Sequence, residues 1–193
     1  MEYIISSFVK MVEVFVLNSP LFFSVSIGII VIILESIIPV LPLSLFIAIN
    51  TIAFGNVIGF IISWVATIIG CSLSYLIFRN IRRKTYLKLK NKKKYLDFIE
   101  NIDKISFTKL VLILSLPFTP AFSINIAAGL ADMKYKKYLF ALIISKLFIV
   151  YFWGFISTTF LESITDIGVI IKIIFIILIA YLLSKLVMKK YDF

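Results

Sequence analysis

The sequence contains no histidine and a single cysteine, Cys71, which stands in an apolar run. A disulfide within the chain, a Cys/His zinc site and any catalytic dyad or triad that needs imidazole are therefore excluded. No glycine-rich phosphate loop occurs either, so no residues point to nucleotide hydrolysis. We expect a protein without cofactor, metal site or enzyme activity, in which Cys71 is a packing residue.

Charged residues are also scarce, at 16% of the 193 residues, whereas hydrophobic residues make up 62%. The mean hydropathy is +1.11. Soluble domains are roughly half apolar, and a soluble core of this size cannot bury so much more apolar surface. The sequence predicts an all-α integral membrane protein with no additional soluble domain.

The remaining charges are unevenly placed, and the net charge is +10. Most of the basic excess lies in residues 79–109, between two strongly apolar regions. Positive loops of this kind mark the cytoplasmic face beside anionic headgroups, so we predict membrane lipids, in particular anionic ones, as partners and no nucleic acid. The expected location is the cell membrane, with the basic loop and the C-terminus in the cytoplasm. Whether the chain forms a homo-oligomer stays open.

Apolar runs and their breaks predict inverted repeats, each with a re-entrant hairpin and a transmembrane helix. Residues 1–19 are expected to form an interfacial or membrane helix, and residues 20–161 a membrane domain. Within that domain we predict, in chain order, a re-entrant hairpin at 20–50, a transmembrane helix at 52–78, the basic cytoplasmic loop at 79–109, a second re-entrant hairpin at 110–131 and a transmembrane helix at 138–161. A further transmembrane helix is predicted at 167–187.

Two Pro-x-x-Pro elements interrupt apolar stretches, Pro39 with Pro42 and Pro117 with Pro120, and the second stretch ends at Gly129. Basic clusters flank this second stretch on both sides, which indicates that it enters and leaves the membrane on one face. The charge pattern gives the two repeats opposite orientations, as in many secondary transporters. A pair of Pro-kinked crossing helices is the alternative interpretation.

Each proline removes a backbone donor and frees a carbonyl, and hydrocarbon cannot satisfy such groups. If the two hairpins face each other, a shared hydrated cavity can be lined by the freed carbonyls and by Asn50, Ser123, Asn125 and Glu35. Glu35 is the sole acid between Glu13 and Asp97, and an acid at such a position is a candidate proton-responsive group. A glutamate that reaches interfacial water is the alternative.

Small side chains recur every three or four residues along the predicted helix at 52–78. Gly55, Gly59, Ser63 and Gly70 belong to this strip. Such a strip lets another helix approach closely, so we assign these residues to helix packing rather than to ligand binding.

Lys146 and the apolar residues of the basic loop are assigned structural roles rather than roles in transport. Lys146 is ranked below Glu35 as a functional candidate, because lysines near helix ends commonly extend to the headgroups. Apolar residues at helical spacing in the basic loop predict an amphipathic helix on the membrane surface, with binding of a protein partner as the alternative. These apolar residues are Tyr95, Phe98, Ile99, Ile102 and Ile105.

Several residues together resemble the DedA superfamily, also called the VTT or SNARE-associated Golgi protein family, over about residues 34–154. The residues that carry the resemblance are Glu35, Pro39, Pro42, Gly70, Tyr75, Arg79, Pro117, Pro120, Asn125, Ala127 to Gly129 and Met133 to Tyr138. The resemblance implies two re-entrant hairpins that enter from opposite faces. Leu114 departs from the family pattern, which often has arginine three residues before the first proline of the second hairpin.

The resemblance also implies a function in moving lipids across the bilayer. Members act as scramblases or as proton-coupled carriers of phospholipid or polyprenyl phosphate, and the carriers use membrane-embedded acids and arginines. Glu35 and Arg79 match such positions, and Asn125 joins them as a candidate substrate-binding residue. The alternatives are a membrane scaffold whose basic loop recruits lipid or a partner, and a secondary transporter of small solutes.

Overall fold

The computed structural model of the protein describes residues 20–38, 43–82, 84–85, 93–162 and 166–190. The helix expected at 1–19 and the prolines Pro39 and Pro42 lie outside the described residues. Every element with defined bounds is a helix. In chain order they are α1 Leu21–Ile37, α2 Leu43–Asn80, α3 Lys93–Lys104, α4 Phe107–Ser115, α5 Ala121–Leu130, α6 Tyr135–Glu162 and α7 Ile167–Lys190.

The helices confirm the predicted all-α membrane class. Among the described residues, three helices are long and apolar enough to cross a membrane, over Leu43–Asn80, Tyr135–Phe160 and Ile167–Lys189. A helix satisfies all its backbone hydrogen bonds within the segment, which is why it suits hydrocarbon. The segments Phe22–Ile37 and Ala121–Leu130 are apolar but shorter.

The chain divides into two compact units. The first consists of residues 1–67 and 150–179, and the second of residues 68–149 and 180–193. The long helices α2, α6 and α7 therefore each contribute to both units, and the units are described separately below.

The chain reverses direction within α2, in the first unit. Gly55 has φ 79° and ψ 169°, which is outside the helical region. The Nδ2 atom of Asn50 lies 3.1 Å from the Oγ atom of Ser63, thirteen residues later. In a continuous helix these residues would be about 20 Å apart along the axis. Residues 43–54 and 56–80 therefore form two antiparallel limbs joined at Gly55.

This reversal corrects two expectations from the sequence. The boundary between the first hairpin and the first transmembrane helix was expected at residues 50–52, whereas the chain turns at Gly55. Gly55 was also assigned to helix packing, but a Cβ atom added there would meet nothing within 4 Å. Its function is conformational, because a positive φ is readily adopted only by glycine.

The second unit contains a helix break at the second proline pair, as predicted. Helix α4 ends at Ser115 and α5 begins at Ala121, so residues 116–120 separate two short helices. The Oγ1 atom of Thr119 donates to the carbonyl oxygens of Ile113 at 2.7 Å and Leu116 at 2.9 Å. These two carbonyls also accept long hydrogen bonds from the amides of Leu116 and Thr119, each at 3.4 Å. The Thr119 side chain thus strengthens the pairing of the carbonyls at the end of α4.

The two ends of the α4–α5 segment lie at the same end of the second unit. The Nζ atom of Lys137, seven residues after α5, donates to the carbonyl oxygen of Ile105, just before α4, at 2.5 Å. The two helices have nine and ten residues, or about 14 and 15 Å each, and neither alone spans a hydrocarbon core of about 30 Å. The segment therefore returns to where it began.

Helix α3 packs its apolar face against the second unit, and its position at a membrane surface stays a prediction. Its apolar face, with Ile99 and Ile102, is buried in the core of the second unit, and α3 contacts α5. The sequence correctly predicted an amphipathic helix, but an apolar stripe does not reveal which apolar surface covers it. Here that surface is the chain's own broken-helix segment.

Candidate functional site

Asn50 is the polar centre of the first unit, with only 2% of its surface exposed. Besides its hydrogen bond to Ser63, it touches two glycines on neighbouring segments. A Cβ atom added at Gly28 of α1 would lie 2.4 Å from Oδ1 of Asn50, and one added at Gly59 would lie 2.5 Å from its carbonyl oxygen. The glycines let three helical segments converge on one buried amide. Gly59 and Ser63 thus do lie at a helix contact.

The second unit is organised around two stacked tyrosines, Tyr75 of α2 and Tyr138 of α6. Both are fully buried, and their ring centroids lie 4.6 Å apart with the planes 20° from parallel. The hydroxyl of Tyr138 donates to Oδ1 of Asn125 at 2.7 Å and lies 3.2 Å from the carbonyl oxygen of Cys71. Cys71 itself is buried in the same core.

Asn125 was expected to line a hydrated cavity. The structure places it 1% exposed on α5, with Oδ1 accepting from Tyr138. A buried amide needs such a partner, because an unsatisfied one costs about 1–3 kcal/mol. Asn125 thereby fastens the broken-helix segment to α6.

Gly129 was expected to break the second hairpin, but it lies within α5 and serves close packing. A Cβ atom added there would lie 2.4 Å from the carbonyl oxygen of Tyr75 and 3.0 Å from the amide nitrogen of Arg79. Only a residue without a side chain lets α5 approach the backbone of α2 so closely. Gly70, the remaining member of the predicted packing strip, is also buried.

The break after α5 occurs at Asp132 instead. The amide of Asp132 donates to the carbonyl of Gly129, and the amide of Met133 donates to the carbonyl of Ala128. This pattern is a Schellman motif, whose left-handed position glycine usually occupies. Here Asp132 occupies it with φ 57°. The hydroxyl of Tyr75 also donates to the carbonyl of Met133, at 2.5 Å.

Asp132 binds two arginines at the end of the preceding membrane-spanning helix, Arg79 in its last turn and Arg82 just beyond it. Its Oδ1 atom lies 2.6 Å from Nε of Arg79, and its Oδ2 atom lies 2.7 Å from Nη1 of Arg82. The three side chains are about 40% exposed, so the cluster faces the surface and carries a net positive charge. The hydrogen bond from Arg79 lowers the pKa of Asp132 below its ordinary value of 3.8, because it stabilises the charged carboxylate.

Sequence reasoning selected Arg79 but missed Asp132 and Arg82. A signal for Asp132 was present, because it is the sole acid between Asp103 and Glu162 and directly follows an apolar segment. An isolated acid at the end of a broken helix, between two basic clusters, indicates an ion pair across the fold.

Glu35, the predicted proton-responsive residue, lies in the last turn of α1 and is partly buried. It belongs to the first unit, whereas Arg79 and Asn125 belong to the second. Its role in proton exchange stays a prediction.

Lys146 is not placed as expected. It was predicted to reach the headgroups, but it is 1% exposed. It lies well inside the span Tyr135–Phe160, about 16 Å along the helix axis from Tyr135 and about 21 Å from Phe160. A lysine side chain cannot bridge either distance. The error arose because hydropathy does not reveal how far a charge lies from the water on either side.

These observations define an all-helical integral membrane protein with a chain reversal inside one long helix and a proline-broken segment that returns to its starting end. A sequence model of the VTT domain matches residues 38–159. The chain belongs to the VTT domain, or DedA, family.

One curated relative is the uncharacterized membrane protein YhjE of Bacillus subtilis (strain 168). It is 29% identical over 154 residues, which cover 79% of this chain and 74% of the relative. No solved structure matches the chain significantly.

Proposed function

We propose that this protein moves lipids across the cell membrane as a translocator rather than acting as an enzyme. The observation that supports this most is the α4–α5 segment, which is apolar, broken at residues 116–120, and closed at one end by the contact between Lys137 and Ile105. An interrupted helix leaves backbone groups that lipid cannot satisfy, and proteins keep such backbone at membrane depth beside a polar cavity.

In this proposal the segment enters and leaves the membrane from the cytoplasmic face, and the first hairpin enters from the opposite face. The headgroup passes along the polar backbone of the breaks while the acyl or prenyl tail stays in lipid. The positive cluster of Arg79, Arg82 and Asp132 contains the first two arginines of the basic stretch 79–109, and it attracts anionic headgroups. Glu35 responds to protons during the cycle.

Reconstitution of the purified chain into liposomes tests this function. The liposomes carry a fluorescent phosphatidylglycerol whose headgroup label is destroyed by a membrane-impermeant reductant. We expect the protein to raise the fraction of label destroyed from about half, the outer leaflet alone, toward all of it. The proposal would be defeated if the protein moved no class of lipid in liposomes that are intact and contain the correct amount of protein.

Two variants separate translocation from the scaffold alternative. A translocator that uses Glu35 slows when Glu35 is replaced by glutamine, in liposomes and in cells. A scaffold that works through its basic loop loses its cellular function when Lys92, Lys93 and Lys94 are neutralised, and Glu35→Gln leaves it unchanged. Solute uptake driven by a gradient, with no lipid movement, would favour the third candidate, a small-solute transporter.

A further inference from the structure

Lys146 is the one lysine of α6 that lies deep within a span and is also fully buried, among the residues whose side chains the structure describes. It belongs to the second unit, with Ser145 and Leu142 as buried neighbours along the helix. The ion pairs and hydrogen bonds found within the described part of the chain include none that involves its ammonium group. The ion pairs of Asp132 are with Arg79 and Arg82 and do not involve Lys146.

A buried charge without a partner is costly, because desolvation of the charge is not repaid. Ionisable residues inside membrane proteins accordingly pair with an opposite charge or mark a substrate pathway. Lys146 forms no ion pair with a described carboxylate, so a bound anion can supply its counter-charge.

The second unit buries two further polar groups on α2. The hydroxyls of Ser72 and Ser74 are buried and make no hydrogen bond to any described residue. A serine hydroxyl donates one hydrogen bond, and a lysine ammonium binds phosphate as a compact point charge. Ser72 and Ser74 are two residues apart on α2 and therefore point to different sides of the helix. At most one of these hydroxyls can face an anion that binds Lys146.

We propose that Lys146 binds the phosphate of an anionic lipid within the membrane. This inference rests on the proposed lipid translocation and adds to it a binding residue and a preference: net-anionic phospholipid over zwitterionic phospholipid. Lys146 holds the phosphate by charge. The cluster of Arg79, Arg82 and Asp132 only raises the concentration of anionic lipid near the protein.

Thermal unfolding of the full chain in neutral detergent tests the binding without any transport assay. The midpoint is measured against increasing short-chain phosphatidylglycerol, short-chain phosphatidylcholine and sodium phosphate, because a ligand of the folded state raises the midpoint with its concentration. The variants are Lys146→Met, Lys146→Gln and Lys146→Arg. Lys172→Met is the matched control, since Lys172 is an exposed lysine of the apolar helix α7.

We expect phosphatidylglycerol to raise the midpoint of the wild type, of Lys146→Arg and of Lys172→Met. Lys146→Met and Lys146→Gln should bind it at least tenfold more weakly, and Lys146→Met should be no less stable than wild type without lipid. An unchanged phosphatidylglycerol response in both charge-removing variants would overturn the inference. So would a response of the wild type to phosphatidylcholine as strong as to phosphatidylglycerol, or a response to sodium phosphate with none to phosphatidylglycerol.

The liposome assay distinguishes failure of the Lys146 binding site from failure of the proposed translocation. If the wild type moves no lipid but loses its phosphatidylglycerol response on Lys146→Met, the translocator proposal fails and the binding site stands. If the wild type moves lipid and Lys146→Met responds to phosphatidylglycerol as before, the site fails and the function stands.

Discussion

The Nε atom of Arg79 and the Oδ1 atom of Asp132 lie 2.6 Å apart, and they join the end of a transmembrane limb to the end of the broken-helix segment. Asp132 makes this contact from a left-handed backbone conformation with φ 57°. Glycine would hold that conformation with less strain, but glycine has no carboxylate. Asp132 therefore both forms the turn after α5 and anchors that turn to Arg79.

Replacement of Asp132 by asparagine removes the charge and keeps a side chain that tolerates the left-handed conformation. We expect the free energy of unfolding to fall by about 1 kcal/mol, because exposed ion pairs contribute about 0.2–1 kcal/mol each. Asp132→Ala should cost about 1 kcal/mol more, because alanine fits a positive φ poorly. Thermal unfolding in detergent measures both. Glu100→Gln, which removes a more exposed pair with Lys104, should have almost no effect; equal losses in both variants would contradict the anchor.

The same ion pair predicts a pH dependence. Because Arg79 lowers the pKa of folded Asp132 below 3.8, its stabilisation is complete above the unfolded pKa of about 3.9 and is lost as the pH falls through the lower folded pKa. The difference in unfolding midpoint between wild type and Asp132→Asn should be constant from pH 7 to about 5 and should shrink below about pH 4. A difference that grows on acidification would have the wrong sign for this pair.

Gly59 and Gly154 form a matched pair for testing the antiparallel limbs of α2. A Cβ atom at position 59 would lie 2.5 Å from the backbone oxygen of Asn50, whereas one at position 154 would meet only a methyl group of Ile47 at 4.0 Å. Overpacking typically costs about 1–3 kcal/mol, so Gly59→Ala should destabilise the protein by that amount and Gly154→Ala should be close to neutral. Unfolding of the two purified variants decides this, and a neutral Gly59→Ala would refute the reversal at Gly55.

The hydroxyl of Tyr138 is predicted to hold the broken-helix segment in place through Asn125. Tyr138→Phe keeps the stacking with Tyr75 but leaves the buried Oδ1 atom of Asn125 without its donor, which should cost about 1–3 kcal/mol. Tyr151→Phe is the control, because Tyr151 is 64% exposed, and it should unfold like wild type. Proteolysis between α4 and α5 provides a second readout: only Tyr138→Phe should accelerate it.

Hydropathy predicted the membrane class and the long apolar helices, because lipid exposure and helix length leave a strong composition signal. It did not predict how each glycine is used. Gly55 was expected to pack and instead turns the chain, and Gly129 was expected to turn the chain and instead packs. Both uses require a missing Cβ atom, so only the backbone geometry distinguishes them.

The sequence likewise did not predict the contacts between distant segments. The proline pair predicted the break at residues 116–120, since each proline removes a donor wherever it lies. The partners of Asp132 and the burial of Lys146 depend on which helices meet, and a single sequence does not contain that information. Entry of the two hairpins from opposite faces stays a prediction.

Cysteine labelling in intact cells tests most directly whether the broken segment returns to the face from which it entered. Single cysteines are placed at Ser106 before α4, at Lys134 after α5 and at Asp166 beyond α6, in a chain whose Cys71 is replaced by serine. The account predicts that Ser106 and Lys134 are both protected from an impermeant reagent until the membrane is opened, and that Asp166 is labelled from outside. Labelling of Ser106 and Lys134 from opposite faces would mean that the segment crosses the membrane, and would contradict the account.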